Sequence, residues 1–446
     1  MYVRRPMRSL SLLVLAAAGC SDAVTLAIAS DRPVPEAIDA ICVGVADRTP
    51  SGVAFGEHYR LEGKLGSLPQ TLRIEAGDAD TAWAWVRADR GGVPVARKGA
   101  PVNFGPDVTL SLDRCEVGPG SAPASAGTAG PADARLVVSN GNGGQLVVAL
   151  GDTAVVLDVV DGVLTAAPTP EVPGTISDVI AVDLDGDCDD DLVIATPDGP
   201  PITWLRSGLV FTAGPAIGTE SAAAIAAADL DRDGDIDLVT GAGATLRLWR
   251  NDGSGAFNED PAALLTEGRV QSVRALALGD LDHDGNPDLV VGQAGDPMRT
   301  WIGDVGGSGS LFPSEAISPI PLDVLRMQLA DIDGDFAPDL AVAVAGAPLE
   351  LFVDRVGLLE RRTVPFFGDA PPVARAIAIG GWDPGCEPDV VIAGDASESR
   401  RGVPGGGLEV DGAGPAGTDV VMVDLDDDGD LDAVIATPEG AQWLVR

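Results

Sequence analysis

Acid side chains fall on alternate residues in Asp229-Leu230-Asp231-Arg232-Asp233-Gly234-Asp235-Ile236-Asp237, with a glycine near the centre and the apolar pair Leu238-Val239 directly behind. On a tight turn this alternation points several carboxylates at one small volume. Like charges that close repel strongly, so the arrangement calls for a cation in their midst. A set of six or more oxygens, mostly carboxylate, suits a hard ion, calcium before magnesium.

The phrase recurs. Asp183, Asp185 and Asp187 lead to Asp191; Asp280, Asp282 and Asp284 to Asp288; Asp331, Asp333 and Asp335 to Asp339; Asp424, Asp426 and Asp428 to Asp432. A sixth, decayed copy begins at Gly381 and ends at Asp389. The starts are separated by 46, 51, 51, 50 and 43 residues, a period that marks one supersecondary unit per repeat. An EF-hand needs a bidentate acid at the twelfth position and flanking helices. Here the twelfth positions are Ile194, Thr240, Val291, Val342 and Ile435, and the closing acid stands at the ninth. Runs such as Leu192-Val193-Ile194 and Leu289-Val290-Val291 follow, and these read as strands.

With 446 residues the chain is long enough for more than one domain. Its formal charge is −39, from 68 acids against 29 Lys and Arg. Clustering of the acids at fixed phase points to metal holding rather than to general solvation. The only lysines are Lys64 and Lys98, so patches for phosphate are missing and nucleic acid is excluded as a partner. No His/Cys cluster has zinc spacing, and no Gly-rich phosphate loop opens a helix. Paired Asp residues could in principle form a glycosidase dyad, but each is accounted for as a ligand, and no enzymatic activity is expected. His58 reads as structural, and His283 sits at a variable loop position.

Residues 1–19 form a secretory signal: Arg4, Arg5 and Arg8 precede a short apolar run, Leu10 to Ala18, too short to span a bilayer. Ala17-Ala18-Gly19-Cys20 resembles the bacterial lipobox, which would make Cys20 the lipidated N-terminus. Ala17 stands where leucine is usual, so plain cleavage after Ala18 is the alternative. The expected location is the bacterial envelope, held by lipid alone at the outer membrane or cell surface and facing the periplasm or exterior. Setting Cys20 aside leaves Cys42, Cys115, Cys188 and Cys386, an even set for an oxidising compartment. The expected bridges are Cys42–Cys115 within the first domain and, as the weaker alternative to free thiols, Cys188–Cys386, both at the sixth place of an acidic loop.

Residues 20–115 alternate apolar and polar in short bursts and read as a small β-sandwich. Residues 116–134, rich in Gly, Pro, Ala and Ser, read as a linker, and 135–446 as the repeat region. Leu136–Val138, Leu146–Val148, Ala154–Val159 and Val163–Ala166 make a first, metal-free repeat, whose loop Asn140-Gly141-Asn142-Gly143-Gly144 has lost its acids. The last repeat stops at Trp443-Leu444-Val445-Arg446 after three strands, with no fourth in view.

Trp204, Trp249, Trp301 and Trp443 each follow the closing Asp by 11 to 13 residues, and Phe352 takes that place in one repeat; packing between units accounts for them. Trp249-Arg250-Asn251-Asp252-Gly253-Ser254-Gly255-Ala256-Phe257 reads as strand, hairpin turn, strand. This hairpin, together with the acidic loop and the strand after it, resembles the FG-GAP/VCBS repeats of integrin α chains and many secreted bacterial proteins. The resemblance implies an all-β chain, a seven-bladed β-propeller preceded by the sandwich, with calcium in loops between first and second strands. Ligands would be the first, third, fifth and ninth loop residues and the seventh carbonyl, giving about five sites; Gly381 and Gly385 leave the decayed loop without two of them. It further implies a monomeric, non-catalytic binding or adhesion module presenting the propeller to a protein or glycan. The rivals are a lectin, which needs Trp204, Trp249 and Trp301 facing outward, a polysaccharide-acting enzyme, and a structural spacer.

Overall fold

The computed structural model describes residues 23–29, 40–46, 53–60, 70–75, 81–90, 93–103, 108–111, 124–129, 133–139, 146–151, 154–160, 163–167, 169–171, 175–264, 269–282, 284–304, 306–317, 320–332, 337–354, 359–362, 367, 372–380, 388–403, 407–423 and 431–445. The elements defined within them are strands.

From residue 135 the strands form four-stranded antiparallel units. Unit 1 comprises Arg135–Ser139, Leu146–Leu150, Ala154–Val160 and Val163–Ala167; unit 2, Asp178–Val182, Asp191–Thr196, Gly199–Ser207 and Val210–Ala216; unit 3, Ala224–Ala228, Asp237–Ala242, Thr245–Asn251 and Phe257–Glu259. Unit 4 holds Val273–Gly279, Asp288–Asp296, Arg299–Gly303 and Leu311–Ala316; unit 5, Leu322–Ala330, Asp339–Val344, Glu350–Asp354 and Leu359–Arg361. These two join into one sheet where Ala294 and Asp296 pair with Asp323 and Leu322. Unit 6 holds Ala376–Gly380, Asp389–Ala393, Ser397–Val403 and Gly407–Gly414.

Unit 7 begins with Asp419–Val423, Asp432–Thr437 and Gly440–Val445, and its fourth strand is Ala124–Ala129, drawn from before unit 1. Ala441 pairs with Ala129 and Val445 with Ala124, and the Asp133 N–H donates to Thr437 O at 2.9 Å. The expectation that 116–134 is only a linker is therefore corrected. A strand pairs through its backbone, so a run of Ala, Ser and Gly can serve where the partner strand supplies the register.

The second strands show why the units assemble. Asp191–Thr196, Asp339–Val344 and Asp432–Thr437 are buried at every position, which requires cover on both faces and explains their unbroken apolar runs. Successive side chains point to opposite faces. In unit 1, Leu146 and Val148 pack with Leu192, Ile194 and Trp204 of unit 2. Val147 and Ala149 face the other way, against Val434 and Trp443 of unit 7. Equivalent clusters fill the gaps between the remaining neighbours. The core is thus a series of slabs between units, and the slab between units 7 and 1 closes the series. First strands touch in the same order, the last returning to the first.

Where the first strands begin, away from the acidic loops, charges of different units meet. Arg326 Nη1 of unit 5 lies 3.5 Å from Asp178 Oδ1 of unit 2, and Arg135 Nη1 of unit 1 lies 3.9 Å from Asp419 Oδ2 of unit 7. Asp178 Oδ2 also accepts the Ile225 N–H of unit 3 at 3.0 Å. Burial raises the Asp178 pKa against the opposing pull of Arg326.

Preceding the units are two further sheets. One has the order Gln70–Glu75, Ala23–Ala29, Val108–Ser111, its second pair parallel; the other runs Val53–Arg60, Ala40–Ala46, Thr81–Arg90, Val93–Asn103. Ile28, Ile41, Val43 and Val86 are buried.

Candidate metal centres

Each acidic loop joins the first strand of its unit to the second, and its own carboxylates build it. The first Asp accepts the N–H of the sixth residue: Asp183 Oδ2 from Cys188 at 2.9 Å, Asp229 Oδ2 from Gly234 at 3.2 Å, Asp280 Oδ2 from Gly285 at 3.0 Å. Asp231 and Asp282 each accept an N–H two residues on, at 3.2 Å, and Asp187, Asp233 and Asp284 do so at 2.8 to 2.9 Å. These are turns of the kind aspartate favours. The sixth residue takes positive φ, +99° at Gly234 and +86° at Gly285, and Cys188 adopts +69° despite its side chain.

The ninth Asp ties the loop to the third strand. Asp191 Oδ2 accepts Leu184 N–H (2.9 Å) and its Oδ1 accepts Arg206 N–H (2.7 Å). Asp288 repeats this with Leu281 and Gly303, both at 2.7 Å, and Asp339 with Ile332 (2.8 Å) and Asp354 (2.9 Å). Even in the decayed loop, Asp389 Oδ1 accepts Gly402 N–H at 2.8 Å. The ninth acid is thus a structural crossbar as well as an expected ligand.

Among the described residues, three groups bring carboxylate oxygens within 4.8 Å of one another: Asp183, Asp185 and Asp191; Asp229, Asp231 and Asp233; Asp280, Asp282 and Asp288. Asp187 and Asp284 stand outside these groups, as does Asp237, whose Oδ2 receives the Arg250 guanidinium at 2.6 Å. Asp185 Oδ1 and Asp284 Oδ2 are buried without a hydrogen-bond partner. A buried anionic oxygen left so is costly, and a divalent cation coordinated by these hard oxygens removes the cost, so the donor set fits calcium. Burial, with neighbouring carboxylates adding to it, pushes Asp191 up to about 9 and Asp187 and Asp288 to about 7; burial pushes Asp237 to about 6.

Asp331, Asp339 and Asp432 lie among the described residues; Asp333, Asp335, Asp424, Asp426, Asp428, His283 and 381–387 lie outside them. Cys188 is buried and disulfide-bonded; the side chains of Cys42, Cys115 and Cys386, like Cys20 and the signal segment, lie outside the described residues. The phase-locked aromatics pack inward: Trp204, Trp249, Trp301, Phe352 and Trp443 are all buried.

Sequence reasoning missed the groups that join one loop to the next unit. Asn251 Nδ2 donates to Leu184 O (2.8 Å), tying unit 3 to the Asp183 loop. The buried Arg206 guanidinium reaches Ser139 O at 2.7 Å and lies among Asp187, Asp189, Asp190 and Asp191. The surplus acids Asp189 and Asp190 were the available sign of an internal cation.

Sheets packed through a repeating acid-looped unit define a β-repeat protein. The model of FG-GAP-like repeats matches residues 183–240, 229–291 and 280–342, so units 2 to 5 carry FG-GAP-like repeats. No curated protein sequence matches the chain. Among solved structures, the chain is similar to an Agrocybe aegerita lectin whose title concerns recognition of non-reducing terminal N-acetylglucosamine. The TM-score is 0.46 and the identity 16%, covering 70% of this chain and 88% of that one.

Proposed function

We propose that the chain is a non-catalytic, calcium-stabilised binding module, exported and held on the bacterial envelope by a lipid on Cys20. In this reading the seven units are the blades of one closed β-propeller, the first two sheets pack as a sandwich, and the monomer presents the propeller to a protein or glycan. The carrying observation is the set of acid loops between first and second strands, in which the carboxylate oxygens of three residues gather within 4.8 Å of one another and Asp185 Oδ1, in one of them, is buried without a hydrogen-bond partner. Asp183, Asp185 and Asp191, Asp229, Asp231 and Asp233, and Asp280, Asp282 and Asp288 would hold calcium, and the ion would fix the loops as a rigid surface. The conspicuous acids accept backbone N–H groups or gather with other carboxylates in the loops, which supports a binding role over an acid–base one. Fold alone leaves the ligand's identity open. A lectin using Trp204, Trp249 and Trp301 as outward platforms is disfavoured, because all three are packed between units.

The test is a pull-down from envelope extract and a glycan array, each run in calcium and in chelator. A partner retained only with calcium is the expected result. Turnover of any polysaccharide by the purified protein, or capture indifferent to calcium, overturns the reading.

A further inference from the structure

The Asp229 loop differs from its neighbours by one residue of the third strand. Arg250 Nη1 lies 2.6 Å from Asp237 Oδ2 and 3.8 Å from Asp231 Oδ2, and Arg250 Nε lies 3.6 Å from Asp260 Oδ2. Its Nη2 donates to the carbonyls of Ser308 (3.1 Å) and Gly309 (2.8 Å) in unit 4. Gly309 leaves room for this, since a Cβ there would collide with the guanidinium. The residue that precedes the N–H donor to the ninth Asp is Leu205 in unit 2, Ile302 in unit 4 and Val353 in unit 5. None of these carries charge; in unit 6, whose decayed loop has Gly381 and Gly385 at the first and fifth places, the same position is Arg401. The carboxylate groupings differ accordingly: first, third and ninth acids converge in the Asp183 and Asp280 loops, whereas in the Asp229 loop the first, third and fifth converge and Asp237 is left to Arg250.

We propose that Arg250 is a resident counter-cation of the Asp229 loop, withholding the ninth carboxylate from calcium and placing a positive charge beside the third. The inference rests on the calcium reading above. It makes this loop the weakest of the three described sites and the one least dependent on metal for its shape. Arg250 is also fastened to the hairpin of unit 4, so it keeps units 3 and 4 joined when calcium is scarce. In a chain with 68 acids and 29 Lys and Arg, an arginine at this register substitutes locally for the ion.

Calcium titration calorimetry on the full chain, with melting curves in calcium and in chelator, tests this. Arg250→Gln is expected to tighten one site about tenfold, the effect of one unit charge a few ångströms from a divalent ion even at water's dielectric. It should also lower the melting temperature more in chelator than in saturating calcium. Adding Asp229→Asn should abolish the gained affinity, and Arg250→Lys, which keeps the charge, should change the affinity less than about threefold. Four results overturn the inference. Arg250→Gln leaves every site unchanged or weakens one; the melting temperature falls equally in both media; the gain survives Asp229→Asn; or Arg250→Lys matches Arg250→Gln. A wild-type chain that binds no calcium would sink the calcium reading with it, whereas calcium binding insensitive to Arg250→Gln would sink this inference alone.

Discussion

Asp288 and Asp282 belong to one loop, yet their removal should have opposite signatures. Asp288 is fully buried and accepts the Leu281 and Gly303 N–H groups, each at 2.7 Å. Asp288→Ala strands two buried donors at about 1–3 kcal/mol each, a loss of about 2–6 kcal/mol. Part is offset because the carboxylate is itself costly to bury, as its rise to about 7 records, so the loss that remains at neutral pH should lie at or below the lower end of that range. That loss persists in chelator. Asp282 is exposed, and its Oδ1 accepts Asp284 N–H at 3.2 Å, a bond that asparagine can keep. Burial and the neighbouring Asp284 and Asp280 raise its pKa, so Asp282→Asn relieves repulsion and should leave the metal-free chain as stable or slightly more so. In calcium it should forfeit that site's contribution. For an extracellular-type site with a dissociation constant near 10⁻⁴–10⁻³ M, 10 mM calcium supplies about 1.4–2.7 kcal/mol. Denaturant unfolding of both variants in calcium and in chelator reads all four values. An Asp288→Ala protein as stable as wild type in chelator, or an Asp282→Asn protein equally weakened in both media, would refute the division of labour.

Residues 124–129 should belong to the repeat domain: a fragment starting at 130 is expected to melt lower and self-associate on sizing columns, whereas one starting near 120 stays monomeric, because only the former leaves the Gly440–Val445 edge open. The folded chain holds protons on Asp191, Asp187, Asp288 and Asp237 that the unfolded chain, titrating near 3.8, releases. Raised acid pKa values mean that stability falls as pH rises from about 4 to about 9. Melts in chelator should therefore be higher at pH 5 than at pH 8, a gap that calcium narrows; a rise from pH 5 to 8 in chelator would contradict this. Non-reducing peptide mapping should place the Cys188 peptide in a bridge to Cys386, and recovery of Cys188 with Cys42 or Cys115 would exclude that pairing. Arg326→Ala removes the pair that links units 5 and 2 and leaves Asp178 buried beside the Ile225 N–H; urea unfolding should show a loss of about 1–3 kcal/mol.

The acidic loops were legible because they place their acids at fixed intervals, and the second strands because burial on both faces keeps their runs largely apolar. Unit 1 could be recognised without an acidic loop, since its strands obey the same burial rule as Leu146 and Val148 show. The strand Ala124–Ala129 was not legible. Its side chains are small, its pairing is through backbone, and its partner lies at the far end of the chain. Arg250, Asn251 and Arg206 escaped for a related reason: each acts on a loop of another repeat or across to a neighbouring unit, and no local spacing encodes that meeting.

The decayed loop separates two requirements that the intact loops superpose. Gly381 and Gly385 stand where the first and fifth acids should be, but Asp389 remains, buried and bonded to Gly402 N–H. Asp339 and Asp191 make the same crossbar in their units. A second strand buried on both faces can begin only if the loop feeding it is anchored without water, and a carboxylate accepting backbone N–H groups from the loop and the third strand does this in one residue. The acids at the first, third and fifth places have no such duty toward the core. They shape the turn, and in the proposed reading those that gather in the loop would also hold the cation. A unit can therefore lose the acids proposed to hold metal and keep its place in the cycle, provided the ninth acid stays.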